Sequence, residues 1–96
     1  MALGVPFNVF QYNVLQRMVA QVTGYGLGEF IFEMGDAHVY TRHFDGLLEQ
    51  VERQPFDAPT LWINPDVTDF YDFTIDDFMM VNYQPIKPQL KLELGI

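Results

Sequence analysis

No cysteine occurs in the 96 residues. That excludes disulfides, thiolate metal sites and any cysteine nucleophile supplied by these residues. Basic side chains are scarce: five Lys and Arg stand against thirteen Asp and Glu, for a net charge of −8. Nucleic acid, or any other extended polyanion, is therefore not an expected partner, although two or three local donors can still hold a small anion. There is no run of about eighteen apolar residues, so no membrane-spanning helix is expected. The N-terminus has neither a charged leader region nor a small-residue cleavage site, and a cytoplasmic location is the expectation.

What is present is apolar and aromatic. The chain is 49% hydrophobic and 16% aromatic, with nine Phe and five Tyr, which argues against disorder. Such a surplus has two readings: a well-filled core, or a surface meant to be covered by a partner or by further chain. The length suits one small domain or a piece of a larger one. Repeats, low-complexity tracts and composition breaks are missing, so residues 1–96 read as a single unit.

Hydrophobic spacing organises the chain. Asn8 reads as an N-cap, followed by Val9, Tyr12, Leu15, Met18, Val19 and Val22 at intervals of three or four. Phe10, Val14 and Ala20 widen that stripe, so the spacing predicts a largely buried helix over 8–23, stopped by Gly24 and Gly26. A turn and a strand over 29–34 (EFIFEM) follow. The glycines at 24, 26 and 28 do not make a dinucleotide fingerprint, because that pattern needs Gly where Glu29 stands. An extended segment over 35–40 leads to a second helix over 42–53, weakened slightly by Gly46. Pro55 and Pro59 bracket a loop before a short strand, Thr60 to Ile63. A turn-rich acidic stretch with one helical turn comes next. Thr74 and Asp77 have the spacing to cap a turn at 74–78, and FMMVNY then reads as a strand.

Three features could carry chemistry. Period two places Asp36, His38 and Tyr40 on one face of the 35–40 segment. A histidine and a tyrosine so placed can grip a hydroxyl together; equally, Tyr40 can pack while His38 caps a carbonyl. Asp36, His38 and His43 also invite a metal reading, but a histidine spacing of five fits no ordinary helical ligand pair and no metal is expected. The Asn8 amide, with one acceptor and two donors, matches the adjacent C=O and N–H of a uracil-like edge; it is also simply a good cap. The carboxylates over 66–77 lack the spacing of a calcium loop.

Taken together, these stretches resemble the thymidylate synthase family. LGVPFN (3–8) looks like its L-G-[LV]-P-F-N signature, and GDAHVY (35–40) is similar to its G-D-x-H-x-Y segment. DFTIDDF (72–78) and NYQP (82–85) look like its late segment. The first two motifs are specific in combination, and their order and separation fit. The resemblance covers the C-terminal portion of the family's subunit. It implies an α+β fold, with a buried helix and strands belonging to a large twisted mixed sheet, and a homodimer.

The implied activity is reductive methylation of dUMP to dTMP with 5,10-methylenetetrahydrofolate as co-substrate. Asn8 would read the pyrimidine edge, His38 and Tyr40 would hold the deoxyribose 3′-hydroxyl, and Gly4 would let backbone approach the substrate. Leu3 and Phe7 would wall the folate site, with Gly95 and Ile96 closing over it. The family's nucleophilic Cys, its phosphate-binding arginines and an Asp lie N-terminal to the LGVPFN-like stretch, so these residues alone are expected not to catalyse. Two departures stand out. Met34-Gly35-Asp36 replaces the family's usual Gly-Gly-Asp, and Ile86-Lys87-Pro88 with Gln89-Leu90-Lys91 alters its tail. The alternatives are a pyrimidine hydroxymethylase of the same fold, acting on deoxyuridylate or deoxycytidylate, and a non-catalytic module that self-associates.

Overall fold

A computed structural model describes residues 1–93. Helix α1 spans Gly4–Thr23, a 3-10 turn at Thr41–His43 runs into α2 at Phe44–Glu52, and β1 (Thr60–Ile63) pairs with β2 (Phe78–Val81). The two strands are antiparallel, with Thr60 opposite Val81 and Ile63 opposite Phe78. The fold is α+β, and among the described residues the sheet has two strands.

Helix α1 starts four residues earlier than expected. Leu3, not Asn8, is the capping residue, and it offers no side-chain cap. Pro6 does not prevent this, because the first helical turn has no internal partner for its backbone N–H groups and proline lacks only that donor. Asn8 thus lies inside the helix. The C-terminal end is as expected: Gly24 takes the left-handed conformation at φ 75° and donates its N–H to the Ala20 carbonyl at 3.0 Å.

The expected burial of α1 is not seen in this chain. None of its residues is buried, and Phe7 is 78% exposed. Nor does EFIFEM pair as a strand. Extended backbone becomes a strand only when a neighbour takes its N–H and C=O groups, and no described segment lies beside it to do so. The alternation is nonetheless visible: Phe30 and Phe32 stack on one side, ring centroids 6.4 Å apart.

Two glutamines of α1 tie loops to it. Gln16 donates to the carbonyls of Gly28 and Glu29, each at 3.4 Å. Gln21 uses both amide hydrogens, one set of bonds reaching the Asn64 and Val67 carbonyls at 2.9 Å each. The loop so held is itself knit to the hairpin. Asn64 donates through its amide side chain to Asp77 at 3.1 Å and through its backbone at 2.8 Å. Thr74 adds its N–H (2.7 Å) and hydroxyl (3.2 Å) to the same carboxylate, so the expected Thr74–Asp77 capping pair is present. The Thr74 N–H, followed by the Asn64 amide, holds the Asp77 carboxyl below its ordinary value. Phe73 packs between Phe70 and Phe78, with centroids at 6.2 and 5.4 Å.

Around these ties the molecule is open. Its accessible surface is 8148 Å², whereas a compact monomer of this mass exposes about 5,700 Å². Its radius of gyration is 16.4 Å, against about 12.5 Å for a compact chain of this length. Among the described residues no apolar side chain is buried; the buried one is His43, 2% exposed.

Candidate functional site

The site is assembled from the start of α1, the 35–40 segment and the chain that follows. On α1, Gly4 and Asn8 are one turn apart and therefore share a face, and so do Leu3 and Phe7, one residue round. A Cβ built on Gly4 would meet nothing within 4 Å, so the space above that turn is open. The Asn8 amide is exposed, and no hydrogen bond among the described residues joins it to His38 or Tyr40.

The two regions meet through backbone. The Met1 nitrogen donates to the His38 carbonyl at 3.4 Å across 37 positions of sequence, setting the entry to α1 beside the 35–40 segment. There His38 and Tyr40 do come together as the alternation implied, edge to face with centroids 5.6 Å apart. The His38 ring is oriented by Asp36, whose backbone carbonyl lies 3.3 Å from Nδ1, with its carboxylate at 3.9 Å. A carbonyl can only accept, so Nδ1 carries the hydrogen and Nε2 is left as an acceptor. The Arg42 guanidinium stands 6.0 Å from the Tyr40 ring centroid, at the far limit of a cation–π contact.

His43 is not arranged as a ligand beside Asp36 and His38. Its ring packs edge-on against Tyr40 at 5.6 Å, and its Nε2 donates to the Glu93 carbonyl. Among the described residues no three His, Asp or Glu side chains form a metal-holding group.

Leu3 lines an open groove of about 720 Å³ together with Arg53, Pro55, Tyr83, Ile86 and Leu92. Sequence reasoning missed this groove, since its walls come from three stretches far apart in the chain, near 2–3, 50–59 and 83–92. It also missed His43 as an anchor for the late chain. One signal was available: a glycine inside a helix costs about 1 kcal/mol relative to alanine and calls for a packing reason. At Gly46 that reason is Leu92, whose Cδ2 lies 2.6 Å from where a Cβ would be. Gly95 and Ile96 lie outside the described residues.

Comparison with known proteins fits this geometry. The family model described as "Thymidylate synthase" matches residues 1–96. The thymidylate synthase of Bacillus atrophaeus is 74% identical over 84 residues, covering 88% of this chain and 37% of that protein. Thymidylate synthase 1 of Bacillus subtilis (strain 168) is likewise 74% identical over 84 residues, covering 88% of this chain and 30% of that one. Among solved structures, the thermostable thymidylate synthase A from Bacillus subtilis superposes with a TM-score of 0.91 at 67% identity, covering 96% of this chain and 33% of that chain.

The architecture is thus an α+β piece of the fold those enzymes share. The chain belongs to the thymidylate synthase family, and it spans about a third of the length of the curated relatives it matches.

Proposed function

We propose that this chain supplies the nucleoside-reading portion of a thymidylate synthase, acting as a single segment over 1–96 with no internal boundary, within a cytoplasmic homodimer. The whole assembly would methylate dUMP reductively to dTMP, with 5,10-methylenetetrahydrofolate as co-substrate. The observation that supports this reading is the Met1-to-His38 hydrogen bond, which links the entry of α1 to the backbone of the 35–40 segment.

Each side chain has a defined task in this reading. The Asn8 carbonyl accepts the pyrimidine N3–H while its NH₂ donates to the neighbouring carbonyl, a bidentate match that, with the amide in this orientation, an amino-pyrimidine does not satisfy. His38 accepts the 3′-hydroxyl proton at Nε2, the nitrogen that the Asp36 carbonyl leaves free. Tyr40 donates its phenol to the same hydroxyl oxygen. Gly4 leaves room for the substrate, and Leu3 and Phe7 offer apolar wall to the folate, with Gly95 and Ile96 at its closing edge. Covalent activation at C6 needs a thiolate, which these residues do not contain.

Calorimetry and product analysis test the reading. The chain is joined to the segment that precedes the matching region in Bacillus subtilis thymidylate synthase A. That protein should bind dUMP and release dTMP with dihydrofolate. Asn8→Asp should turn its preference toward dCMP, and His38→Ala should weaken dUMP binding by about tenfold, one charge-free hydrogen bond plus the orphaned partner. Release of a hydroxymethyl nucleotide with tetrahydrofolate would identify the hydroxymethylase instead. The open surface of 8148 Å² favours a second reading, a non-catalytic module that associates with itself, and that reading predicts no dUMP binding in either form.

A further inference from the structure

His43 stands apart from every other described side chain in being buried, and the tasks above make no use of it. Its backbone N–H donates to the Tyr40 carbonyl at 2.9 Å, closing the 3-10 turn, while its ring lies edge-on to Tyr40. The opposite side of the ring system reaches fifty positions along the chain to the Glu93 carbonyl. Because a carbonyl accepts, Nε2 must bear the hydrogen. One turn further along α2, Gly46 leaves the gap that Leu92 fills. Two successive residues of the late chain are therefore held by two positions at the start of α2: one by a hydrogen bond, the other by shape.

We propose that His43 is a positioning residue, which fixes the late chain at Glu93 in register with the His38–Tyr40 pair. The rings of His38, Tyr40 and His43 form an unbroken series of edge contacts at 5.6 Å each. A ligand hydroxyl that orders Tyr40 therefore orders the His43 ring behind it, and with it the carbonyl that His43 holds. The link to a nucleotide rests on the function proposed above; the anchoring at Glu93 does not.

Limited trypsin digestion of the 96-residue chain, followed by mass spectrometry, reads the anchor directly. Lys91 immediately precedes Leu92, whereas Lys87 is followed by proline and is resistant to trypsin. Cleavage after Lys91, taken relative to cleavage after Arg17 in α1, measures release of the late chain apart from general unfolding. His43→Ala should raise that ratio about five- to tenfold, as loss of one buried hydrogen bond implies. His43→Gln, which keeps a side-chain N–H donor, should bring it back toward the wild-type value. Equal ratios in wild type and H43A, or a ratio for H43Q as high as for H43A, would overturn the proposal. In the protein joined to the Bacillus subtilis segment, saturating dUMP should lower the ratio with wild-type His43 and leave it unchanged with H43A; if dUMP binds that protein by calorimetry but does not move the wild-type ratio, the tie to the His38–Tyr40 pair is overturned. Absence of dUMP binding counts against the nucleotide reading alone, because the contrast between H43A and H43Q still decides the anchor.

Discussion

The chain from Thr60 to Asn82 and the chain from Gly4 to Met34 contain similar side chains and end up in different conditions. In the first, two short strands pair, a 3-10 turn is capped, and Asp77 collects donors from Thr74 and Asn64. Asn82, at φ 62°, ends β2 in a left-handed conformation that asparagine tolerates. Its polar groups find partners within about twenty residues. In the second, a twenty-residue helix satisfies its own backbone, an extended apolar segment has no paired strand beside it, and large side chains such as Phe7 and Ile31 face outward. A hairpin can close on itself, whereas a helix with apolar residues on most of its circumference needs cover from several sides. The contrast separates the self-sufficient part of the piece from the part that depends on its surroundings.

Supplying that cover should have the largest effect. Joined to the preceding segment of the Bacillus subtilis relative, residues over 4–34 should gain strong protection in hydrogen exchange, while protection of the β1–β2 pair should rise far less. Without that segment the chain should associate through the same surface. Light scattering should give a mass above the 11.2 kDa of one chain, and Phe7→Ser with Ile31→Ser should lower it.

Cutting the tie between the two regions comes next. Gln21→Leu removes two hydrogen bonds, leaving the Val67 carbonyl without a partner and the Asn64 carbonyl with the Val67 N–H alone at 3.4 Å, for a loss of about 1–3 kcal/mol in urea unfolding. The cost should appear as early loss of α1 while the hairpin persists. A smaller change is confined to the helix: Gly24→Ala forces a Cβ into the left-handed region and should cost about 1–2 kcal/mol, read as fraying of the last turn of α1.

The smallest effect concerns pH and touches only the hairpin. The Asp77 carboxyl titrates below its ordinary value in the folded chain, so it binds protons less readily there than when unfolded. Its contribution is therefore complete above the unfolded carboxylate value of 3.8 and disappears as pH falls through the lowered folded one. Trp62 fluorescence, followed downward from pH 5, should report a loosening that Asp77→Asn displaces or abolishes. Asp77 is only half-buried, and solvent screening keeps the effect modest.

Elements governed by near neighbours in sequence are legible in the sequence alone. The stop at Gly24, the strand over Thr60–Ile63, the Thr74–Asp77 pair and the strand from Phe78 all rest on spacings of a few residues. The second helix was placed within a residue or two, its first turn tightening to 3-10. Misreadings arose where the deciding partner is distant or missing. Asn8 looked like a cap because asparagine is a favoured capping residue and the apolar spacing starts just after it, yet the helix begins at Gly4 and holds Pro6 in its first turn. EFIFEM has the alternation of a strand without a neighbour to pair with. His38 and Tyr40 were legible as a pair from period two alone, whereas the Glu93 partner of His43 stands fifty residues away and leaves no trace in spacing.

Gln21 also bears on the order in which the piece assembles. Its bonds to Asn64 and Val67 close loops of 43 and 46 residues, while the turns of α1 and the β1–β2 hairpin close over far shorter lengths. Ordering a long connection has a higher entropic barrier than ordering a short one. Helix and hairpin should therefore form as separate nuclei and dock late. Slow refolding should then be governed by this one glutamine side chain, with Q21L slowing the docking phase and leaving the fast phase of hairpin closure unchanged.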